Sequence, residues 1–230
     1  SGSVTGVSAG TVTISYALIS TGCFRTQSVT VNPAPSAITG SAVVCAGSVT
    51  SLTDAGGGTW MSSSTSLATV GSLTGNVGGV AAGNPVITYT LPTGCLTTAT
   101  VTVNPLPAAI PGVNGCAGTS TTYTDPTAFG AWTSSNSLVA TVGSSTGVVS
   151  GLALGTTTIS YTLNTGCQVT RIDTINSVPS AISGVTNVCV GSTTSLTDAG
   201  GGTWLSSIPV IASVGLNTGI VTGLISSTVT

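Results

Sequence analysis

The chain has 230 residues, of which only 3% are charged: two Arg, four Asp and no Lys, Glu or His. Ordinary soluble domains carry about 25% charged residues. The inventory therefore speaks against an enzyme, having no ready general base or paired carboxylates, and against nucleic-acid binding, which neutralises phosphates with Lys and Arg in number. The same residues call for no cofactor.

The first predicted strand, TVTISYAL, puts Val12, Ile14, Tyr16 and Leu18 on one face and Thr11, Thr13, Ser15 and Ala17 on the other, the period of two expected of a half-buried strand. A proline-rich joint, NPAPSAI, follows, and then SVTSLTD with Leu52. Ile87, Tyr89 and Leu91 repeat the first pattern, and TATVTVNP aligns Val101 with Val103. A second joint, NPLPAAIPG, leads to a strand with Tyr123 where Leu52 stood, then to Ile159, Tyr161 and Leu163. The third joint, NSVPSAISG, leads to Leu196. Short β-branched runs between Gly, Asn, Asp and Pro turns predict antiparallel β-sandwiches, and no window has sustained helical periodicity. No stretch approaches the roughly 20 apolar residues of a spanning helix. Strands of about six residues and the absence of aromatic girdles also argue against a transmembrane barrel.

The order repeats at a fixed interval. Trp60, Trp132 and Trp204 are 72 residues apart, as are Cys23, Cys95 and Cys167. Cys45, Cys116 and Cys189 keep nearly the same beat, and so do Asp54, Asp125 and Asp198. A tandem array of period about 72 follows. The run TWMSSSTSLATVGSLTGNVGGVAAGNPVITYTL, with its Trp, Ser-Ser, Ala-Thr-Val and Thr-Gly-x-Val, resembles the bacterial immunoglobulin-like group 2 repeat of surface adhesins. With VCAGS before the second strand and TGC after the Tyr strand, it is similar to the variant in repeat-rich surface proteins of Bacteroidetes. The resemblance implies an all-β array of Ig-like sandwiches, exported to the cell surface or secreted, with the three Trp inside their cores.

Phase sets the expected boundaries. Residues 34–105 and 106–178 are complete repeats, 1–33 holds the last strands of one, and 179–230 holds the earlier strands of another. The opening SGSVTGVSAGTVTISY matches interior segments and overlaps the closing NTGIVTGLISSTVT, so the two fragments together contain every strand of a repeat. The favoured reading is an excerpt of a longer polypeptide; the alternative is that separate copies complete one another by strand addition.

Six cysteines without histidine suggest an exported disulfide framework and no metal site. Three pairings are open. Cys45 with Cys95 and Cys116 with Cys167 place a Trp between the partners, as in immunoglobulin domains; this leading scheme leaves Cys23 and Cys189 unpaired or bonded to another repeat or chain. Against it, the ends of a sandwich can be too far apart for a bond. Cys45 could instead reach Cys167 in the next repeat, or the short spacings could bridge the joints.

Asp54, Asp125 and Asp198 precede turns and read as Asx-turn residues, while Arg25 and Arg171 read as solvated strand residues. DTI, Asp173–Ile175, makes Thr174 a candidate for O-glycosylation. The function expected is a structural segment of an extracellular fibre whose partners are copies of itself. An adhesin repeat binding host, glycan or surface ligands is the alternative, and the departure from symmetry in DPTAFGAW, with Phe129, marks where it would look.

Overall fold

The computed structural model describes residues 2–112 and 114–225. The last five residues of NTGIVTGLISSTVT, 226–230, lie outside them, as does the first Ser. The described residues form 22 strands and no helix, so none contains a helix long and apolar enough to cross a membrane. The fold is all-β, as the alternating Val, Ile and Thr runs dictate: a β-branched side chain is stiff at χ1 and fits a pleated, half-buried surface.

Between the first two joints, one sheet runs in the order Thr39–Gly40, Val49–Thr53, Asn76–Gly79, Ala68–Val70. A second runs Leu96–Thr100, Val86–Thr90, Thr59–Ser62. Thr102–Asn104 continues the chain and pairs in parallel with Val43–Cys45, Asn104 opposite Cys45. The inward positions of these strands meet in one core: Val44, Leu52, Trp60, Ala68, Val77, Ile87, Tyr89, Val101 and Val103. Burying such side chains contributes about 1.5–3 kcal/mol each, and this core carries the fold of a segment that has almost no ionic interactions.

The next segment repeats the plan with longer strands. Its sheets run Gly115–Cys116, Gln168–Asn176, Gly155–Leu163, Gly130–Ser134 and Ser120–Thr122, Val148–Gly151, Ala140–Val142. From 179 onward, Ser183–Gly184, Thr193–Thr197, Ile220–Gly223 and Ala212–Val214 form one sheet in the same order as the first sheet above. Near the start, Gly10–Ala17 and Phe24–Val31 form a hairpin, with Tyr16 opposite Arg25 and Ile14 opposite Gln27.

By contact the chain divides into two compact units that do not follow the sequence period. The first holds the chain up to Ile110 with Asp125–Ala131 and Ser160–Thr170; the second holds Pro111–Thr124, Trp132–Ile159 and the chain from Arg171 onward.

Candidate functional site

Two features depart from a plain stack of apolar sandwiches: a long-range disulfide and a polar cluster inside a core. The disulfide joins Cys45 to Cys167 across 122 residues, with Cα atoms 5.7 Å apart. Cys45 ends the strand Val43–Cys45, where the parallel ladder with Asn104 holds it. Cys167 sits in the turn of the hairpin Gly155–Leu163/Gln168–Asn176, closed by the Leu163 N–H to the Cys167 carbonyl at 2.9 Å. Cys167 is buried, and both cysteines fall in the first compact unit.

This bond corrects the pairing of Cys45 with Cys95 and of Cys116 with Cys167: Cys95 and Cys116 are free thiols, as are Cys23 and Cys189. The reason is the length of a strand. Cys45 lies opposite Asn104, whereas Cys95 lies in the hairpin turn nine residues earlier. At about 3.3 Å per residue the two are roughly 30 Å apart, far beyond the ~7 Å limit between bonded Cα atoms. Cys116 opposite Asn176 stands in the same relation to Cys167.

The polar cluster occupies positions that are apolar one period earlier. Tyr123 stands in the place of Leu52, Asp173 in that of Val101 and Arg171 in that of Ala99. Asp173 is 1% exposed. One carboxylate oxygen accepts from the Tyr123 hydroxyl at 2.7 Å and the other from the Arg171 Nε–H at 2.8 Å. Buried charge is tolerated when it is paired and hydrogen-bonded. Burial, then the hydrogen bond and charge of Asp173, push the Tyr123 hydroxyl up to about 12, while Arg171 works in the opposite sense. The bond to Asp173 also raises the Arg171 guanidinium above its ordinary value. Arg171 is therefore a paired residue and not the freely solvated one its isolation in sequence suggested. The signal was available as the pair Tyr123 and Asp173, both polar at positions where the preceding period is apolar.

The remaining candidates are placed as follows. Trp60 and Trp132 are buried, and Trp204 is half-buried. Trp60 lies 4.6 Å from Tyr89 and Trp132 6.1 Å from Tyr123, centroid to centroid. Each indole covers the glycine of a Thr-Gly turn in the left-handed region, Gly75 at φ 68° and Gly147 at φ 67°, where a Cβ would meet the ring. Asp125 and Asp198 accept backbone N–H bonds from Thr127 at 2.7 Å and Gly200 at 2.8 Å, an Asx-turn geometry. Asp54 instead accepts from the Ser36 hydroxyl at 3.3 Å. Thr174 is half-buried on Gln168–Asn176, and the Asp of its DTI motif is the one held by Tyr123 and Arg171. Arg25 is exposed on the hairpin. Among the described residues no cluster of His, Cys, Asp or Glu could hold a metal.

Phe129 is 85% accessible and, alone among the described non-glycine residues, left-handed, at φ 68°. Gly57, its counterpart one period earlier, has φ 66°. The neighbouring Gly130 N–H donates to the Tyr161 hydroxyl at 3.1 Å, which donates in turn to the Thr127 carbonyl at 2.6 Å. Tyr161 thus holds the loop that displays Phe129.

Residues 117–175 match the family model of the bacterial Ig-like domain (group 2). No curated protein matches the chain. Among solved structures, a C-terminal 282-residue fragment of intimin, in complex with the intimin-binding domain of the translocated intimin receptor, is 16% identical. The match covers 64% of this chain and 67% of that one at a TM-score of 0.44. Domains 1–6 of the surface layer protein SbsC are 17% identical over 97% of this chain and 40% of that one, at a TM-score of 0.30. Drosophila N-cadherin EC1-4 is 11% identical over 93% and 73%, also at 0.30. The chain spans less than half the length of the SbsC structure.

Proposed function

We propose that the chain, whose residues 117–175 match the bacterial Ig-like domain (group 2) model, is a structural segment of an extracellular bacterial surface fibre, built from sandwiches with boundaries at 34–105 and 106–178. The observation that carries this reading is the Cys45–Cys167 bond, which ties the first cysteine of one sequence repeat to the TGC cysteine of the next. A bond within each repeat would harden each sandwich alone, whereas a bond between successive repeats resists their separation and transmits tension along the array. The scarcity of charge fits the same role, because a surface of hydroxyl and backbone groups is little affected by salt or pH.

Immunogold labelling of the native material with antibody raised against residues 117–175 tests the proposal. Label along thin surface filaments is expected; label confined to the cell interior overturns it. The adhesin reading has one specific observation in its favour, the exposed Phe129 held left-handed in a loop that departs from the repeat. It predicts that glycan or host-surface binding, measured on arrays, falls when Phe129 is replaced by Gly.

A further inference from the structure

The hairpin Gly10–Val31 and the sheet from 179 onward have complementary unsatisfied faces. Tyr16 is 73% exposed and Ile14 38%, while their counterparts Tyr89 and Ile87 are 2% and 0% exposed. In the segment 34–105 those two residues lie beside the Trp strand, Tyr89 opposite Trp60 and Ile87 opposite Ser62. At the equivalent place after 179, Thr203–Ser206 forms no strand pairing among the described residues. A cavity of about 570 Å³ opens there instead, lined by Ile182, Asp198, Gly200, Gly202 and Trp204 among others. The equivalent space two periods earlier is occupied. Gly56 and Gly58 are packed against Leu91 and Tyr89, and the Gly58 N–H donates to the Tyr89 hydroxyl at 2.7 Å. Around their counterparts Gly200 and Gly202, in contrast, a Cβ would meet only the Asp198 carboxylate at 3.2 Å and the Gly200 carbonyl at 3.9 Å.

The thiols point to the same junction. In the observed bond, the first cysteine of a repeat sits opposite the Asn that ends the last strand, Cys45 opposite Asn104, and reaches the TGC cysteine of the following repeat. Asn32 is the counterpart of Asn104, and its carbonyl lies 3.9 Å from the free Cys95 Sγ. A first cysteine docked opposite Asn32 would therefore arrive beside Cys95.

We propose that the hairpin Gly10–Val31 of one copy completes the sheet after 179 of a second copy, and that two disulfides, Cys23–Cys116 and Cys95–Cys189, lock the junction. The proposal rests on the fibre reading and gives it an assembly rule. Tyr16 and Leu18 of the donor copy fill the cavity, the Tyr16 hydroxyl replacing the Gly200 carbonyl as acceptor of the Gly202 N–H. Val31 enters in parallel beside Val188, with Asn32 opposite Cys189. Under this rule each chain keeps Cys45–Cys167 internally and offers Cys23 and Cys95 to one neighbour and Cys116 and Cys189 to the other. Each new Sγ–Sγ bond forms as two thiols give two protons and two electrons to a disulfide oxidant of the export compartment, which leaves as a dithiol.

The purified 230-residue chain, exposed to oxidised glutathione under native conditions, tests this. A non-reducing ladder at multiples of 22.0 kDa is expected, collapsing to one band with reductant, and peptide mapping is expected to recover Cys23–Cys116 and Cys95–Cys189. Other pairs, or glutathione adducts alone, overturn the locking scheme. The double variant Cys116→Ser, Cys189→Ser is expected to lose the ladder in detergent while end-to-end rods persist by electron microscopy; loss of the rods overturns the hairpin docking. Tyr16→Asp is expected to abolish both, and rods that survive it overturn the docking also. A chain that stays monomeric while the native material shows labelled fibres refutes self-completion and leaves the fibre reading standing. Unlabelled native fibres refute that reading whatever the isolated chain does.

Discussion

The segments 34–105 and 106–178 have one strand plan and two kinds of interior. Where the first buries Leu52 and Val101 in one apolar core, the second joins Tyr123 to Asp173 and closes the pair with Arg171. Both arrangements sit between the same two sheets, so this position is specified by its geometry and not by its polarity. What it does require is satisfaction: an apolar pair needs only contact, whereas the carboxylate needs a partner for each oxygen. Removing one member should therefore hurt far more than exchanging the whole set. Asp173→Ala is expected to cost about 3–5 kcal/mol in denaturant unfolding, because it strands a buried hydroxyl and a guanidinium. The triple exchange Tyr123→Leu, Arg171→Ala, Asp173→Val, which copies the first segment, is expected to be near neutral or stabilising. A triple variant as unstable as Asp173→Ala would break the equivalence of the two interiors.

Alkaline pH separates the segments without mutation. The Tyr123 hydroxyl is raised from 10.0 to about 12, so below pH 10 the folded and unfolded chains both hold its proton. Between about pH 10 and 12 the unfolded chain releases the proton while the folded one retains it, and stability falls with rising pH. Unfolding followed by Trp fluorescence should show the segment 106–178 weakening across that window. Tyr123→Leu combined with Asp173→Val should remove the drop; a drop that survives belongs to another group.

The architecture was legible because alternation, turn residues and the 72-residue spacing are all local or additive signals. Val12, Ile14 and Tyr16 announce a face whether or not anything covers it, and the structure shows that face uncovered. The cysteine bond was not legible to the same degree. Spacing and the Cys-Trp-Cys order put Cys45 with Cys95 ahead of Cys45 with Cys167, and the position of Cys45 opposite Asn104 reverses that order. Arg171 was misread for a related reason: residues 171 and 173 lie on the same side of a strand, but the hydroxyl that completes their cluster comes from Tyr123, 50 residues away.

Tyrosine hydroxyls sharpen the comparison on a smaller scale. Tyr161 and Tyr89 are counterparts, but the Tyr161 hydroxyl both accepts from Gly130 and donates to Thr127, whereas Tyr89 accepts from Gly58. Tyr161→Phe is expected to cost about 2 kcal/mol and Tyr89→Phe about 1 kcal/mol, since each leaves a backbone N–H without its acceptor. Equal costs in thermal unfolding would show that the bond to Thr127 contributes nothing to the second segment.

Phe129 should give the smallest change, in the direction of a gain. A left-handed non-glycine residue costs about 1–2 kcal/mol, and Phe129, at φ 68° and 85% exposed, has little burial to offset that cost. Phe129→Gly removes the strain but adds about 0.5–1 kcal/mol of unfolded-chain entropy. A net stabilisation below about 1 kcal/mol is therefore expected, read as a small rise in unfolding midpoint. The reverse change in the first segment, Gly57→Phe, should lower its midpoint by a similar amount, because its backbone has the same conformation at φ 66°. If Phe129→Gly lowers stability instead, the ring is packed in solution and the loop is structural. If it raises stability while surface binding is lost, the strain is the cost of displaying an aromatic side chain, and the second segment carries a contact that the first does not.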